Sequence, residues 1–297
     1  HQKAIGSWDY DVIRHQSTDI TEDELHYAEY DTLAGVESID ALKEQLKKDS
    51  GTIPYTSTGI LRELIKKEGS KNKAKEWFKR NCPTWEQYQK LVKMYHGGYT
   101  HGNRHYIDYK LPYVKSYDFA SSYPFVLFFK YPSGKFIPIK NKSVSYILKN
   151  KNKYAFMFKF IAIGISIKNE DIAMPFLQYS KCEYEINSIV DNGRILASDY
   201  VEIYLNEIDL DIIASQYNIK KSICVEVEAT LKDYLPRWFT DIVFSLFKDK
   251  TSLKNVDKVL YTIQKYKLNA CYGLCCQRWD KVTLIETEEG DYIEDNT

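Results

Sequence analysis

Three segments of the sequence combine residue types that can bind a nucleotide or a metal ion. In the first, residues 117–124 read Tyr-Asp-Phe-Ala-Ser-Ser-Tyr-Pro. Asp118 offers a carboxylate, which suits a hard cation such as magnesium, and Ser121 offers a hydroxyl to a triphosphate. Tyr123 presents an aromatic ring that can lie flat beneath a sugar. The alternative is a carboxylate that caps the following helix, which is common for an isolated D-x-x-S pattern.

The second segment places a cation, an amide and an aromatic ring on one side of a predicted helix. Lys265, Asn269 and Tyr272 are spaced i, i+4 and i+7, so one helical face presents all three. Such a stripe can bind a triphosphate, a base and a template strand. Gly273 is predicted to end the helix. The alternative is an ordinary solvated helix face with one packed tyrosine.

Paired glycines between two tyrosines form the third segment, where residues 95–100 read Tyr-His-Gly-Gly-Tyr-Thr. Glycines let a backbone approach a phosphate chain closely, and tyrosine rings can stack on bases. A simple turn is the alternative. A zinc site is a further alternative, because His96, His101 and His105 place three imidazoles within ten residues.

The chain that positions these segments has the composition of a folded protein. Its 297 residues are 44% hydrophobic and 28% charged, which argues against intrinsic disorder. No apolar run approaches the roughly 20 residues of a transmembrane helix, and the first residues lack the order of a secretory signal. The six cysteines contain no C-x-x-C pair and are predicted to be reduced thiols. A soluble intracellular protein is predicted.

Charge is unevenly distributed although the net charge is zero. Residues 61–95 hold ten Lys or Arg against four Glu, and residues 130–160 hold eight Lys and no acid. Residues 1–50 hold twelve acids against five bases, and residues 280–297 seven acids against one base. Phosphate binding responds to local basic surface rather than to total charge. The two basic segments therefore permit nucleic-acid binding, and solvated lysine-rich faces are the alternative.

Hydrophobic periodicity predicts a mixed α+β protein. Helices are predicted over residues 21–46, 57–95 with breaks near Gly69 and at Pro83, 123–131, 209–217, 238–250 and 252–271. A short buried strand is predicted over residues 114–119, and alternating strands over residues 136–227. Thr21 and Glu24 have the spacing of a capping box at the start of the first helix. Residues 49–54 are predicted to be a linker.

In order and type, the three segments resemble the motifs of the protein-primed family B DNA polymerases of phages and linear plasmids, the Bacillus-phage type in particular. The first palm motif of that family, D-x-x-S-L-Y-P, corresponds to residues 118–124. The fingers motif, K-x-x-x-N-S-x-Y-G, corresponds to residues 265–273, and the Y-x-G-G motif to residues 95–98. Ser122 stands where the family has Leu, and Ala270 where it has Ser.

Two further segments extend the resemblance. Tyr27 and Asp31 fit the Y-x-x-x-D pattern of the third exonuclease motif, on a predicted helix. Residues 207–213 resemble part of the terminal-protein-region insertion of this subfamily. The D-T-D motif, expected after the fingers, and the D-x-E motif, expected before His1, are not in the sequence. The chain is therefore expected to be an internal fragment, truncated on both sides.

The resemblance implies an α+β fold with the palm and fingers of a family B polymerase and a terminal-protein-region insertion, preceded by the end of a 3′–5′ exonuclease domain. The implied divisions are the C-terminal part of the exonuclease domain (1–53), the N-terminal palm (54–131), the terminal-protein-region insertion (132–235), the fingers (236–276) and the start of a second insertion or the palm return (277–297).

The implied activity is a DNA-directed DNA polymerase that adds deoxynucleotides to a protein or DNA primer by two-metal phosphoryl transfer. The intact parent would also proofread in the 3′–5′ direction. Mg²⁺ or Mn²⁺ is the implied cofactor, and primer-template DNA, dNTP and a terminal protein are the implied partners, with no membrane. The implied location is the cytoplasm of a virus-infected bacterium or a plasmid-bearing cell. The isolated chain is expected to be inactive, and a non-catalytic DNA-binding or terminal-protein-docking remnant is the alternative.

The resemblance also implies roles for individual residues. Catalytic roles fall to Asp118, Lys265, Tyr27 and Asp31, and metal ligation to Asp118, Asp31 and the carbonyl of Phe119. Nucleotide binding falls to Phe119, Ser121, Tyr123, Lys265, Asn269 and Tyr272, with the Tyr123 ring as a steric gate against a ribose 2′-hydroxyl. DNA contacts fall to Tyr95, Gly97, Gly98 and Gly273, and a second cation for the triphosphate to Lys248 or Lys250.

Overall fold

The computed structural model describes residues 15, 17–46, 54, 56–100, 102–140, 143–275, 283–286 and 292–295. The chain divides into two compact units, His1–Leu64 and Ile65–Thr297. The mixed composition of helices and strands that the periodicity predicts is confirmed. Across the described residues, none of the helices has the length and apolar character needed to cross a membrane.

Helix α1, Glu22–Leu46, is the main element of the first unit. Its start is the predicted capping box: the Thr21 N–H donates to Glu24 Oε2 at 2.9 Å, and the Glu24 N–H donates to Thr21 Oγ1 at 3.3 Å. This reciprocal pair satisfies two amide groups that have no partner within the helix. Most of the predicted linker, residues 49–54, lies outside the described residues.

Three short helices follow, α2 (Ser57–Lys71), α3 (Ala74–Asn81) and α4 (Trp85–Met94). The predicted break at Pro83 is confirmed, because the next helix starts from a second capping box between Thr84 and Gln87. The predicted break near Gly69 is wrong by a few residues. Gly69 lies inside α2, and the chain turns at Lys73, which adopts a left-handed conformation with φ 54°.

A six-stranded antiparallel sheet forms the centre of the second unit. Its strands are β1 (Lys130–Pro138), β2 (Tyr154–Ile167), β3 (Cys182–Ile186), β4 (Ile189–Asp191), β5 (Arg194–Asn206) and β6 (Tyr217–Tyr234). The order across the sheet is β1-β6-β2-β5-β3, and β4 pairs with β5. Helix α6 (Val144–Asn150) joins β1 to β2, and α7 (Glu207–Gln216) joins β5 to β6. The alternation predicted strands here, but α6 was not predicted.

The two faces of the sheet are buried by different elements. On one face, Phe156, Phe158 and Phe160 of β2 pack in a core cluster with Ile147 of α6 and Ile213 of α7. On the other face, Met157 of β2 and Tyr204 of β5 pack with Met94 of α4. Side chains that alternate in direction along β2 therefore fill both cores.

A buried polar network joins α4 to the sheet. The Gln87 side-chain amide donates to Glu228 Oε2 at 2.6 Å and to the Phe136 carbonyl at 2.8 Å. Lys90 Nζ donates to Glu228 Oε1 at 2.9 Å. Because residues 95–100 leave directly from the end of α4, this network sets where that segment starts.

After the sheet come two packed helices, α8 (Arg237–Leu253) and α9 (Lys258–Cys275), and a ribbon of β7 (Thr283–Glu286) with β8 (Tyr292–Asp295). The predicted start of the second helix at Ser252 is wrong. Ser252 still belongs to α8, and the Asp257 side chain accepts the Leu260 N–H at 2.9 Å at the start of α9. The predicted helix end at Gly273 is also wrong, since α9 continues through it to Cys275.

The chain between Gly102 and β1 differs most from the prediction. Residues 114–119 belong to no helix or strand and pair with no other strand among the described residues, and Tyr117 and Phe119 are exposed. The predicted buried strand is therefore wrong. The predicted helix over residues 123–131 is also wrong, because helix α5 spans only Ser122–Val126 and Lys130 already pairs with Tyr234 in the sheet.

Candidate nucleotide-binding site

The turn before α5 is held by a lysine that is distant in sequence. Ser121 has the left-handed conformation, with φ 56° and ψ 43°, and its side chain does not cap the helix. Instead its hydroxyl accepts a hydrogen bond from Lys250 Nζ of α8 at 2.6 Å. A left-handed serine costs roughly 1–2 kcal/mol of backbone strain. The contact with Lys250 lies at this strained position.

Tyr123, two residues further on, contacts the predicted stripe of α9. Its ring centroid lies 4.6 Å from that of Tyr272, with the planes inclined by 35°. Aromatic pairs of this kind contribute about 0.5–1.5 kcal/mol beyond the area that they bury. Half of the Tyr123 surface stays exposed. The ring is therefore supported on one side and accessible on another.

The rest of the stripe is displayed as the spacing predicts. Lys265 and Asn269 are exposed, and Tyr272 is half-buried. The neighbouring side of α9 is buried through Leu268 and Cys271. The helix therefore packs through one side and presents the cation and the amide on the side next to it.

The paired glycines reach the same place. A Cβ atom at Gly98 would lie 3.7 Å from the Tyr123 hydroxyl oxygen, and one at Gly97 would meet nothing within 4 Å. Both glycines are exposed. Three segments that are separated in sequence thus meet around Tyr123, which lies close to both Gly98 and Tyr272.

The tyrosine after the glycines is fixed to the sheet unit. The Tyr99 hydroxyl lies 3.1 Å from both the Met174 and Pro175 carbonyl oxygens, to which it can donate. The Arg194 guanidinium lies 4.6 Å from the centre of the Tyr99 ring. Burial raises the pKa of Tyr99, and the positive charge of Arg194 partly offsets this rise. These contacts of Tyr99 fix the position of the C-terminal end of residues 95–100 against the sheet unit.

His96 packs against the same region. Its ring lies 5.6 Å from that of Phe176. Burial lowers the pKa of His96, and the positive charge of Lys181 lowers it further. His105 is exposed, and His101 lies outside the described residues. Within the part of the chain that is described, no group of three His, Cys, Asp or Glu side chains is arranged to hold a metal ion. Because His101 is not in that part, the zinc alternative stays a hypothesis.

The predicted metal ligands supply a partial donor set. Asp118 is exposed and Phe119 is almost fully exposed, shortly before the turn into α5. A carboxylate and a main-chain carbonyl are hard oxygen donors of the kind that Mg²⁺ binds. Tyr27 and Asp31 lie one turn apart on α1 in the first unit, where Asp31 is exposed and Tyr27 is half-buried.

Two lysines on α8 were equal candidates from the sequence, and they make different contacts in the structure. Lys250 contacts Ser121, whereas Lys248 lies with Nζ 4.6 Å from the centre of the Phe244 ring. A third lysine was missed. Lys267 is buried, and burial lowers its pKa while the negative charge of Asp249 partly offsets this effect. Its spacing from Leu260 and Cys271, on the buried side of α9, is the signal that could have placed it.

Known proteins resemble the chain over nearly its whole length. The family described as "DNA polymerase type B, organellar and viral" matches residues 6–297. Among solved structures, Phi29 DNA polymerase complexed with primer-template DNA is similar with a TM-score of 0.67 at 15% identity, over 98% of this chain and 48% of that chain. The chain matches no curated protein.

Two other structures of the same polymerase give similar values. The orthorhombic crystal form has a TM-score of 0.66 at 16% identity, over 99% of this chain and 48% of that chain. The ternary complex with primer-template DNA and incoming nucleotide has a TM-score of 0.65 at 18% identity, over 98% and 48%. At these identities the likeness shows the fold. The chain spans about half the length of these polymerases.

Proposed function

Because the chain belongs to the organellar and viral family of type B DNA polymerases, we propose that it carries the nucleotide-binding part of a protein-primed DNA polymerase. The full protein adds deoxynucleotides to a protein or DNA primer by two-metal phosphoryl transfer, and proofreads in the 3′–5′ direction. One observation carries the proposal: Gly98, Tyr123 and Tyr272 meet at one place, beside the contact between Ser121 and Lys250.

In this proposal the triphosphate is bound by cations from both helices of the α8–α9 pair. Lys250 is already positioned at the turn before α5 by its 2.6 Å contact with Ser121. Lys265 is exposed on α9, on the same stripe as Asn269 and Tyr272, which line the pocket for the new base pair. A lysine ammonium neutralises phosphate charge without needing a fixed fork geometry.

Tyr123 discriminates between deoxyribose and ribose. Its ring cannot move away from a 2′-hydroxyl towards α9, because Tyr272 already lies 4.6 Å away on that side. Discrimination of this kind depends on shape rather than on hydrogen bonding. The template strand passes across Tyr95, Gly97 and Gly98, where the lack of side chains on the glycines lets a phosphate backbone approach.

Magnesium or manganese is the proposed cofactor, held by the Asp118 carboxylate and the Phe119 carbonyl. When bound, a divalent ion offsets negative charge on the phosphoryl group. One carboxylate does not position two metal ions, and the 297 residues contain no D-T-D motif. The chain by itself is therefore proposed to bind primer-template DNA and dNTP, the ligands in the ternary Phi29 complex, without extending a primer.

The remaining parts of the chain have proposed roles outside the pocket. Helix α1, with Tyr27 and Asp31, is proposed to be the C-terminal part of the 3′–5′ exonuclease domain. The sheet from β1 to β6 is proposed to be the insertion that binds the terminal protein. Support for this assignment comes from the pairing of its first and last strands. Lys130 of β1 pairs with Tyr234 of β6, and these two residues lie close to the predicted limits 132–235.

The test is nucleotide binding to a complex of the chain with primer-template DNA, followed by fluorescence of a base analogue in the template. We expect the correct dNTP to change the signal, and Lys250→Met or Lys265→Met to weaken its binding about tenfold or more, as expected for loss of a charged hydrogen bond. Lys248→Met is the matched control, because that lysine lies over Phe244 on the same helix.

Two results would contradict the proposal. Equal effects of Lys248→Met and Lys250→Met would show that only general positive charge is sensed. Robust primer extension by the isolated chain in the presence of Mg²⁺ would contradict the proposed inactivity.

A further inference from the structure

Arg194, the first residue of β5, is a buried cation that forms no ion pair with any residue that the structure describes. It is only 7% exposed. Its Nη1 donates to the Phe176 carbonyl at 3.0 Å, and its guanidinium lies over the Tyr99 ring. Within the described ranges no carboxylate forms an ion pair with it. A guanidinium has five N–H donors and always carries its charge, and burying a charge without a counter-charge is unfavourable.

Arg194 is also one of the residues that line a polar pocket of about 440 Å³. The other polar side chains of its wall are neutral, and they are Thr100, Gln178, Tyr179, Ser180 and Asn192. No carboxylate belongs to this wall. Ser180 Oγ accepts a hydrogen bond from the Gln178 amide at 3.0 Å, which leaves its own hydroxyl proton to donate.

Nearby carboxylates are engaged with other residues. Arg104 pairs with Glu170 at 2.7 Å and with Asp191 at 3.7 Å. The Tyr179 hydroxyl donates to Glu185 at 3.3 Å. None of these three carboxylates forms an ion pair with Arg194.

The environment next to the pocket is positive. After burial, the largest causes that lower the pKa of His96 include the charges of Lys181 and Arg194. A positive environment, a buried guanidinium and a wall of neutral hydrogen-bonding groups together favour an anion.

We propose that this pocket binds a phosphodiester of single-stranded DNA. Thr100 of the pocket wall is two residues from Gly98, and its N–H donates to the Gly98 carbonyl at 2.8 Å. Two residues span at most about 7 Å, so a strand that crosses the glycines passes the mouth of the pocket. The choice of DNA as the source of the phosphate rests on the proposed function.

The test is the salt dependence of binding between the chain and a short single-stranded oligonucleotide, followed by fluorescence anisotropy. Each phosphate contact on a single strand contributes about 0.7 to the slope of log Kd against log salt concentration. We expect Arg194→Gln to lower this slope by about 0.7 and to weaken binding about tenfold at low salt. Arg237→Gln, at a side chain that is 94% exposed on α8, is the matched control and should change neither value.

A second variant guards against misfolding of the first. Asn192 has a left-handed conformation with φ 47°, which Asp adopts nearly as well as Asn. Asn192→Asp therefore keeps the turn but adds a negative charge to the pocket wall, and we expect it to weaken DNA binding while inorganic phosphate competes with DNA less well than in the unaltered chain.

The possible results separate this inference from the proposed function. If the unaltered chain binds DNA and both pocket variants bind with the same slope and affinity, the pocket inference is wrong while the proposed function stands. If Arg194→Gln abolishes the binding of inorganic phosphate but leaves DNA binding unchanged, the pocket holds free phosphate and the DNA assignment is wrong. If the unaltered chain binds no DNA, both proposals fail.

Discussion

Asp209→Asn should stabilise the protein, and by an amount that grows with pH. Asp209 lies in the first turn of α7 and is only 7% exposed, with its Oδ2 accepting the Asn206 N–H at 3.2 Å. Burial raises the pKa of Asp209 from 3.8 to about 7; the hydrogen bond with Asn206 opposes the rise, and the negative charge of Glu207 adds to it. An asparagine keeps an oxygen that can accept the same hydrogen bond and carries no charge.

The direction of the pH effect on stability follows from comparing the pKa of Asp209 in the folded and unfolded states. Since the folded pKa is raised, the fold favours the protonated carboxyl, and this contribution to stability is fully present below about pH 4. It is lost as the pH rises through about 7. A shift of one pKa unit corresponds to about 1.36 kcal/mol. The rise of the Asp209 pKa from 3.8 to about 7 therefore corresponds to about 4 kcal/mol of stability. Asp209→Asn is therefore expected to gain almost nothing near pH 4 and about 2–4 kcal/mol near pH 8.

Urea unfolding of the chain, followed by circular dichroism at several pH values, measures this gain. Asp211→Asn is the matched control on the same helix. The Asp211 side chain is 48% exposed and pairs with Lys151 at 2.6 Å, so its loss should destabilise by less than about 1 kcal/mol. A gain for Asp209→Asn that does not change with pH, or a loss of stability near pH 8, would refute the reasoning.

Three other expected outcomes concern the nucleotide-binding site around Tyr123 and the sheet. In the full-length protein, Tyr123→Val should raise ribonucleotide incorporation about tenfold or more, whereas Tyr123→Phe should leave it low; primer extension with each nucleotide type checks this, and equal behaviour of the variants would contradict a steric gate. Glu207→Gln should lower the free energy of unfolding in urea by about 3–5 kcal/mol, because Lys232 Nζ, 2.6 Å from Glu207 Oε1, loses its buried counter-charge. Ser121→Ala and Lys250→Met should show a coupling of about 1 kcal/mol in a double-mutant cycle of unfolding, and additive effects would mean that the hydrogen bond is not formed.

Local signals in the sequence predicted where the first helix begins. The capping box at Thr21 lies at the start of α1, because such a signal needs only residues within one turn. The stripe of Lys265, Asn269 and Tyr272 is displayed on α9 for the same reason. What the helix spacing could not predict is the ring that Tyr272 meets.

Strand positions were harder to predict because a strand needs a neighbour. Residues 114–119 mix apolar or aromatic side chains with polar ones, as a strand can, but among the described residues no strand lies next to them. Lys130 and Tyr131, in contrast, were assigned to a helix, and they pair with Tyr234 and Asp233 about a hundred residues later in the chain. Pairing over such a separation leaves no local sign.

Buried charges were also missed, since charged residues are rarely buried in proteins. Arg194 carries no feature in sequence that separates it from surface cations, and the only local sign for Lys267 is its spacing from the apolar Leu260 and Cys271. The choice between Lys248 and Lys250 likewise depends on tertiary contact, because only the position of Ser121 distinguishes them. The residues of the candidate site could be predicted by type, while their partners required the fold.

The pairing of the first strand of the sheet, β1, with its last strand, β6, has a consequence for how such a protein evolves. The strands β1 and β6 run antiparallel, and Lys130 and Tyr234 are direct partners, so the chain enters and leaves the sheet at points only about 5 Å apart. A unit whose ends are neighbours can be inserted into, or removed from, a host chain without displacing the flanking segments. A lineage could therefore acquire, exchange or lose residues 131–233 in one recombination event, while α5 and α8 remain joined at the same separation.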